Sequence, residues 1–364
     1  MKIYVKAFMD RNFGDDLMLV ELLRGFPKNR FYINCDKSMH AFYHDIFKEF
    51  QNFVLTDIPL KKVHKFGFGF FQFIVLIGGS TLQGSRNKGC YYRFLNVVSI
   101  SLARIFKTKY CIVGCNTGPF INKFTEFFVK LELRCASFIT TRDDASFNLI
   151  SIANKKAKKY KIPDMLFDLG EKYNTKKSSD INHLGICAFN SPKDSLASDK
   201  KNSFFAEVID EYINITGGKV SLFAFDIGKQ NDMVIAKKIY DLVNNKSNVN
   251  IVSHSTNYYD IVNGIAECSK VVAVRFHSAI IALSLNIPVI PVIYSNKMSN
   301  LLDDLGYNSQ YIYLDKIENM DTKTFLNVIM NSSDDLKLNS YQICDAKYHL
   351  LKFREFMEKE GISK

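Results

Sequence analysis

The sequence predicts an α/β protein: two tandem Rossmann-like domains followed by a helical C-terminal tail. Three observations predict it. Short β-rich runs alternate with helical patterns from one end of the chain to the other, the signature of parallel sheets covered by helices. The 364 residues exceed one ordinary core and suit two domains of roughly 150–200 residues each. A polar stretch rich in Lys, Ser and Asp, from Glu171 to Asn182, interrupts the alternation near the middle and reads as a linker.

The first half places strands near 2–8, 31–34, 53–56, 73–77, 110–114 and 137–141. A helix between the last two follows from Phe124, Phe127, Phe128, Leu131 and Cys135, which share one face at spacings of three and four. Acidic pairs mark two helix starts, Asp15-Asp16 after Gly14 and Asp143-Asp144 after Arg142. In the second half strands are expected at Leu184 to Phe189, Lys219 to Phe225, Val249 to Val252, Val271 to Val274, Val289 to Tyr294 and Tyr311 to Leu314. Met233 to Val243 and Tyr258 to Cys268 read as helices between them. The expected domains are 1–175 and 183–332, with a tail over 333–364. No internal repeat of 20–50 residues interrupts this reading.

Composition narrows the function. At 47% hydrophobic and 23% charged residues the chain matches a globular protein, not a disordered one. The net charge of +11 favours anionic partners: nucleic acid, a membrane surface or phosphorylated substrates. The basic residues read as scattered, with small clusters at Lys61-Lys62 and Lys155 to Lys161, and no nucleic-acid-binding signature accompanies them. Eight cysteines occur without a C-x-x-C pair, so a zinc site is not expected and buried thiols in a reducing compartment are. The opening residues alternate like a strand, not like a signal peptide. Neither apolar stretch, Phe68 to Ile77 nor Leu95 to Phe106, reaches the roughly 18–20 residues needed to span a bilayer. A cytoplasmic location is expected, with at most peripheral contact with an anionic inner membrane face.

In open parallel sheets ligands bind beyond the carboxyl ends of the strands, so the chemistry is sought there. Asn12-Phe-Gly14-Asp15-Asp16 follows the first strand. A helix cap explains one acid; the second acid with Asn12 leaves room for a polar or catalytic role. Gly78-Gly79-Ser80-Thr-Leu82-Gln83 follows an apolar strand and lets backbone N–H groups approach a ligand, though a Gly pair at a strand end is common. It lacks the Gly-Lys-Ser/Thr of a P-loop. Gly114-Cys-Asn116-Thr-Gly118-Pro119 is a similar turn, equally explained by structural need. Arg142 ends another strand before a helix. It suits a carboxylate or phosphate, and an Arg–Asp surface pair is the competing reading.

The sharpest group is Arg275-Phe276-His277-Ser278. A buried strand would deliver Arg275 and His277 on one face, beside the free amides of a starting helix, forming an anion site with a proton donor. Tyr294 and Lys297 end the next strand; a helix cap with an exposed Lys explains them as well. No H-E-x-x-H, G-x-S-x-G, kinase signature or Asp-x-Asp occurs, so no metal centre is expected.

In order, these groups resemble the polysaccharide pyruvyl transferase family over about residues 3–306. The match comprises Asn12-x-Gly14-Asp15-Asp16, Gly78-Gly79-Ser80 with Leu82-Gln83, Gly114 with Gly118-Pro119, Arg142-Asp143-x-x-Ser146, Arg275-x-His277 and Tyr294-x-x-Lys297. Ser80 stands where the family often has a third Gly, and Cys115 where it often has Gln. The resemblance implies two domains facing a cleft, similar to the GT-B glycosyltransferase fold. It implies phosphoenolpyruvate as donor, a sugar of a cell-surface polysaccharide or its precursor as acceptor, and no cofactor. Carried over by motif, His277, Asp15 and Arg142 are the expected catalytic residues. Arg275, Phe276, His277, Ser278 and Lys297 of the second domain, with Arg142 of the first, are expected to bind the donor. Asn12, Asp16, Gly78, Gly79, Ser80, Gln83, Asn116 and Tyr294 are expected to line the acceptor side or the cleft. The acceptors of such enzymes are often lipid-linked phosphates at a membrane, which the +11 charge would suit. Two other functions fit the same features: a nucleotide-sugar-dependent glycosyltransferase, and a non-catalytic relative that binds a glycan or phospholigand.

Overall fold

The computed structural model describes residues 1–79, 82, 88–118, 120–173, 182–189, 197–255, 257–307, 311–331 and 336–362. The expected site residues Ser80 and Gln83, and Pro119 of the family match, lie outside these. In chain order the elements are β1 (Lys2–Lys6), α1 (Phe13–Gly25), β2 (Arg30–Asn34), α2 (His40–Ile46), β3 (Phe53–Thr56), β4 (Phe73–Ile77), α3 (Lys88–Ile105), β5 (Lys109–Val113), α4 (Lys123–Cys135), β6 (Ala136–Thr141), α5 (Asp144–Ala153), β7 (Lys158–Lys161) and α6 (Leu169–Tyr173). There follow β8 (His183–Ala188), α7 (Ala197–Thr216), β9 (Lys219–Ala224), α8 (Asp232–Leu242), β10 (Val249–Ser253), α9 (Tyr259–Ala266), β11 (Lys270–Ala273), α10 (Phe276–Ser284), β12 (Val289–Ile293), α11 (Asn296–Asp304), β13 (Ile312–Tyr313), α12 (Thr322–Asn331), α13 (Ser340–Ala346) and α14 (Tyr348–Ile362). A 3₁₀ segment spans Leu60–Phe66.

The protein is an α/β protein with two parallel sheets. The first runs β3-β2-β1-β4-β5-β6-β7, the second β10-β9-β8-β11-β12-β13. In each, strand order reverses beside the first strand, at β1/β4 and β8/β11, the position where such sheets bind ligands. Strands buried on both faces need continuous apolar runs. Phe73–Ile77 and Val289–Ile293 supply them, and every residue of both is buried.

Two compact units result. The first comprises Met1–Met9, Asp15–Met165 and Cys344–Lys364; the second comprises Asp10–Gly14 and Leu166–Ile343. The last helix is part of the first unit's core: Phe353 packs its ring 5.6 Å from Phe26 and 5.7 Å from Phe138, and Phe356 lies 5.2 Å from Phe138.

Three sequence expectations need correction. Glu171 to Tyr173, taken as the start of the linker, is the end of helix α6. The basic cluster around Lys158 is an edge strand, β7, where lysines guard an unpaired rim. The expected apolar face of α4 is buried only in part: Cys135 points inward beside Thr125, Val129, Glu132 and Leu133, while Phe124 is 75% and Phe127 55% exposed. All eight cysteines are thiols; six are buried and Cys344 is exposed.

Candidate functional site

In the first unit the site begins with two glycines after β4. Gly78 and Gly79 have φ of 75° and 56°, a region that only glycine enters without strain. A Cβ on Gly79 would stand 2.6 Å from Asp15 Oδ1, and one on Gly78 3.2 Å from Met18 Sδ. The glycines are therefore the surface on which the first turn of α1 rests, and they set the Asp15 carboxylate at the carboxyl end of β4. Asp16 points the other way. It is 1% exposed, near Cys35, whose thiol burial and then Asp16 push up to about 12. Asp16 was expected to line the cleft; its helical offset from Asp15 turns it into the core instead.

The next strand ends supply a polar chain. Arg142, after β6, donates from Nη1 to Asp164 Oδ2 at 2.5 Å and from Nε to Asn116 Oδ1. Asn116 donates in turn to Asp143. Asp143 caps α5, accepting from Ser146 N at 2.7 Å, and Ser146 Oγ accepts from Thr117 N at 2.8 Å. Arg142 is thus 9% exposed and its salt bridge is internal. It sets the orientation of Asn116. Beneath, Gly114 (φ 66°) lies against Met18, Met165 and His349. His349 donates from Nε2 to Pro163 O at 2.8 Å, and its Nδ1 pairs with Thr140 Oγ1 at 2.7 Å. Burial drops its pKa to about 4. Lys6 ends β1 half-buried, and burial lowers its pKa against the pull of nearby Glu132.

In the second unit Asp10–Gly14 is laid along the end of β9. Phe13 N donates to Phe225 O at 2.9 Å and Ile227 N to Arg11 O at 3.1 Å. Asn12 Nδ2 donates to Asp226 Oδ2 at 3.3 Å. Gly14 is where this segment meets α10. A Cβ there would stand 1.9 Å from His277 Nδ1, so the imidazole occupies the place of the missing side chain. Gly14 and His277 are halves of one contact.

Arg275 caps α10 and follows β11. Its Nε donates to Asp232 Oδ2 at 2.9 Å, Nη2 to Asp232 Oδ1 at 2.5 Å and Nη1 to Gln230. The guanidinium lies 4.5 Å from the Phe189 ring, which packs 4.1 Å from that of Tyr294. Burial pulls the Arg275 pKa down, but Asp232 outweighs it and the net shift is upward, so the cation is permanent. Three of the five N–H bonds of a guanidinium are committed.

Arg275 and His277 do not share a strand face, as their spacing suggested, because β11 ends at Ala273 and the helix begins at Phe276. One side chain turns to Asp232 and the other to Gly14. Phe276 and Ser278 turn inward; Ser278 donates from both N and Oγ to Arg275 O. Their side chains, expected to bind the donor, belong to the helix turn. Lys297 is half-buried in the first turn of α11 and Tyr294 is 37% exposed after β12.

Sequence reasoning missed Asp164, Phe189, Asp226, Gln230, Asp232 and Lys6. Asp226, Phe189 and Lys6 carried a usable signal, each standing at or just after a strand's carboxyl end. Asp164 and Asp232 carried none, since their partners are distant in sequence. Among the described residues no cluster of His, Cys, Asp and Glu has the geometry to hold a metal.

A family model described as polysaccharide pyruvyl transferase matches residues 12–296. No curated protein matches the chain. Among solved structures it is similar to the UDP-GlcNAc 2-epimerase of Neisseria meningitidis (12% identity, 97% of this chain and 99% of that one, TM-score 0.61). The putative UDP-N-acetylglucosamine 2-epimerase of Listeria monocytogenes gives 12% identity over 98% and 96%, TM-score 0.63. Anabaena HepE, solved with UDP, gives 11% over 100% and 100%, TM-score 0.55. These likenesses show a shared α/β two-domain fold of the GT-B kind.

Proposed function

The chain belongs to the polysaccharide pyruvyl transferase family, and from that premise we propose that it transfers a pyruvyl group from phosphoenolpyruvate to a sugar of a cell-surface polysaccharide or its precursor, releasing phosphate. The observation that carries this reading is the seating of His277 on Gly14. It ties two separate family motifs into one device: an imidazole held in the first turn of a helix, two residues from a permanent guanidinium.

The second unit takes the donor. Phosphoenolpyruvate carries a carboxylate and a phosphate, and the opening amides of α10 with the remaining N–H bonds of Arg275 suit such anions. Lys297 adds positive charge. Because Asp232 fixes the guanidinium, Arg275 acts as a preset donor and not as a mobile clamp. His277 is the general acid. Protonation of the methylene carbon makes the adjacent carbon electrophilic. A sugar hydroxyl adds there and gives up its proton to a base, the role proposed for Asp15. The bond from that carbon to the bridging oxygen breaks and phosphate leaves. A second hydroxyl of the same sugar then closes a ketal. Of the two hydroxyl protons, one is balanced by the new methyl group and the other by the departing phosphate. Arg142 works through Asn116, which it orients for the acceptor. The scheme needs no cofactor.

One observation favours a second reading. The Phe189–Tyr294 ring pair beside Arg275 suits a flat ring, and the structural relatives named above were solved with, or act on, UDP-bearing ligands. A nucleotide-sugar transferase would use the pair to stack a base. Phosphate release from phosphoenolpyruvate across a panel of glycan acceptors decides between them. The pyruvyl reading predicts release in the wild type and a loss of roughly 10²–10⁴-fold in His277→Ala. Release that is absent with every acceptor while a UDP-sugar is consumed, or unchanged in His277→Ala, would falsify it.

A further inference from the structure

The positive charge is not scattered. Residues 58–125 contain ten Lys and Arg and no Asp or Glu. That segment accounts for nearly all of the net +11, since the rest holds thirty-eight basic against thirty-seven acidic residues. It builds the 3₁₀ segment Leu60–Phe66, the loop after it, and helix α3.

Helix α3 buries polar and charged residues beside its core contact Ile100: Arg93, Asn96 and Ser99 are buried. Arg93 donates to Glu132 at 2.9 Å and Ser99 to Lys61 O at 2.7 Å. Its outward face carries Tyr91, Phe94, Val98, Leu102 and Ile105, all exposed, Ile105 to 73%. Spaced by three and four, they form one stripe about 21 Å long. The stripe is widened on both sides. Phe94 packs 6.0 Å from Phe128, which meets the exposed Phe127 of α4 at 5.4 Å. Exposed Phe106 stacks 4.3 Å from exposed Phe68. Lysines fringe it: Lys61 Nζ lies 3.7 Å over the Tyr92 ring, and Lys62, Lys65 and Lys123 are exposed. At the end of α3 a cavity of about 590 Å³ is lined by Arg104, Ile105, Lys107 and Lys109. The neighbouring acids are already engaged, Glu126 by Lys130 and Glu360 by Lys109.

We propose that this face docks the protein onto an anionic lipid bilayer, lying in the headgroup region without crossing it. No helix among the described residues is long and apolar enough to cross a membrane. Aromatic and aliphatic side chains on one helix face, fringed by lysines, are what partition into the interface of an anionic membrane. The lysine fringe argues against a protein partner, because protein interfaces are depleted of lysine. The inference stands apart from the reaction, although a bilayer would bring lipid-linked acceptors within reach.

The test is co-sedimentation of the full chain with vesicles of phosphatidylcholine alone and of phosphatidylcholine mixed equally with phosphatidylglycerol. The wild type is expected to bind the mixed vesicles and not the neutral ones. The triple variant Phe94→Ser/Leu102→Ser/Ile105→Ser is expected to lose binding. Lys62→Glu/Lys65→Glu/Lys123→Glu should lower partition at least about tenfold. Circular dichroism checks both folds, and the charge triple carries the test if the apolar triple misfolds. Equal binding to both vesicles, no binding, or a charge triple that binds like wild type would overturn the proposal. So would a wild-type dimer by light scattering that both triples dissociate, which would assign the face to a second copy of this chain.

Discussion

At the scale of single residues, glycines are placed by the side chains that rest on them. Gly79 faces the Asp15 carboxylate and Gly14 the His277 imidazole. Gly14→Ala inserts a methyl 1.9 Å from Nδ1, so the ring or α10 must shift. We predict a fall in kcat of roughly 10²-fold, the usual cost of about 1 Å of misplacement, with a stability loss of only about 1–3 kcal/mol. Turnover assays beside thermal melts separate the two effects. His349 offers a prediction in pH. Burial first, with Arg142 nearby, holds its pKa at about 4 against an ordinary 6.5. The unfolded chain therefore binds more protons than the folded one between those values. The contribution is complete above pH 6.5 and is lost as pH falls toward 4, by an upper limit of roughly 3 kcal/mol. Urea midpoints of the wild type should fall over that window, and those of His349→Gln should fall less.

At the scale of elements, Glu132 joins three of them. It is fully buried in α4, accepts from Arg93 of α3 at 2.9 Å and from Tyr110 of β5 at 2.8 Å. Glu132→Ala leaves a buried guanidinium without its carboxylate and should cost about 3–5 kcal/mol, read as a lower urea midpoint. The same network explains what sequence patterning could not give. Strands such as Phe73–Ile77 were legible because a doubly covered strand must be apolar throughout. The edge strand Lys158–Lys161 was not, because its lysines serve a rim. Helices α3 and α4 were misread or unread for the opposite reason: periodicity finds an apolar face, but not which way it points. The site followed the same rule. Strand-end glycines and Arg275-x-His277 stood out as motifs, whereas Asp164, Asp232 and Gln230 are defined only by a partner that the fold brings near.

At the scale of the whole molecule, the chain is not two successive halves. Asp10–Gly14 belongs to the second unit and Cys344–Lys364 to the first. Truncation after Ile343 removes Phe353, Phe356 and His349 and uncovers Phe73 and Phe138. The first unit should lose at least about 3 kcal/mol, the order of one large core aromatic, seen as an early, separate unfolding transition. Donor binding is read from ligand-dependent melting. The melting temperature is followed against phosphoenolpyruvate, with plain phosphate and UDP-N-acetylglucosamine as comparisons. A ligand of the folded state adds about 2.7 kcal/mol at a hundredfold excess over its Kd. A saturable rise is expected with phosphoenolpyruvate, one that exceeds the rise with phosphate and is diminished in His277→Ala. A rise with UDP-N-acetylglucosamine alone, or none with phosphoenolpyruvate, would contradict it.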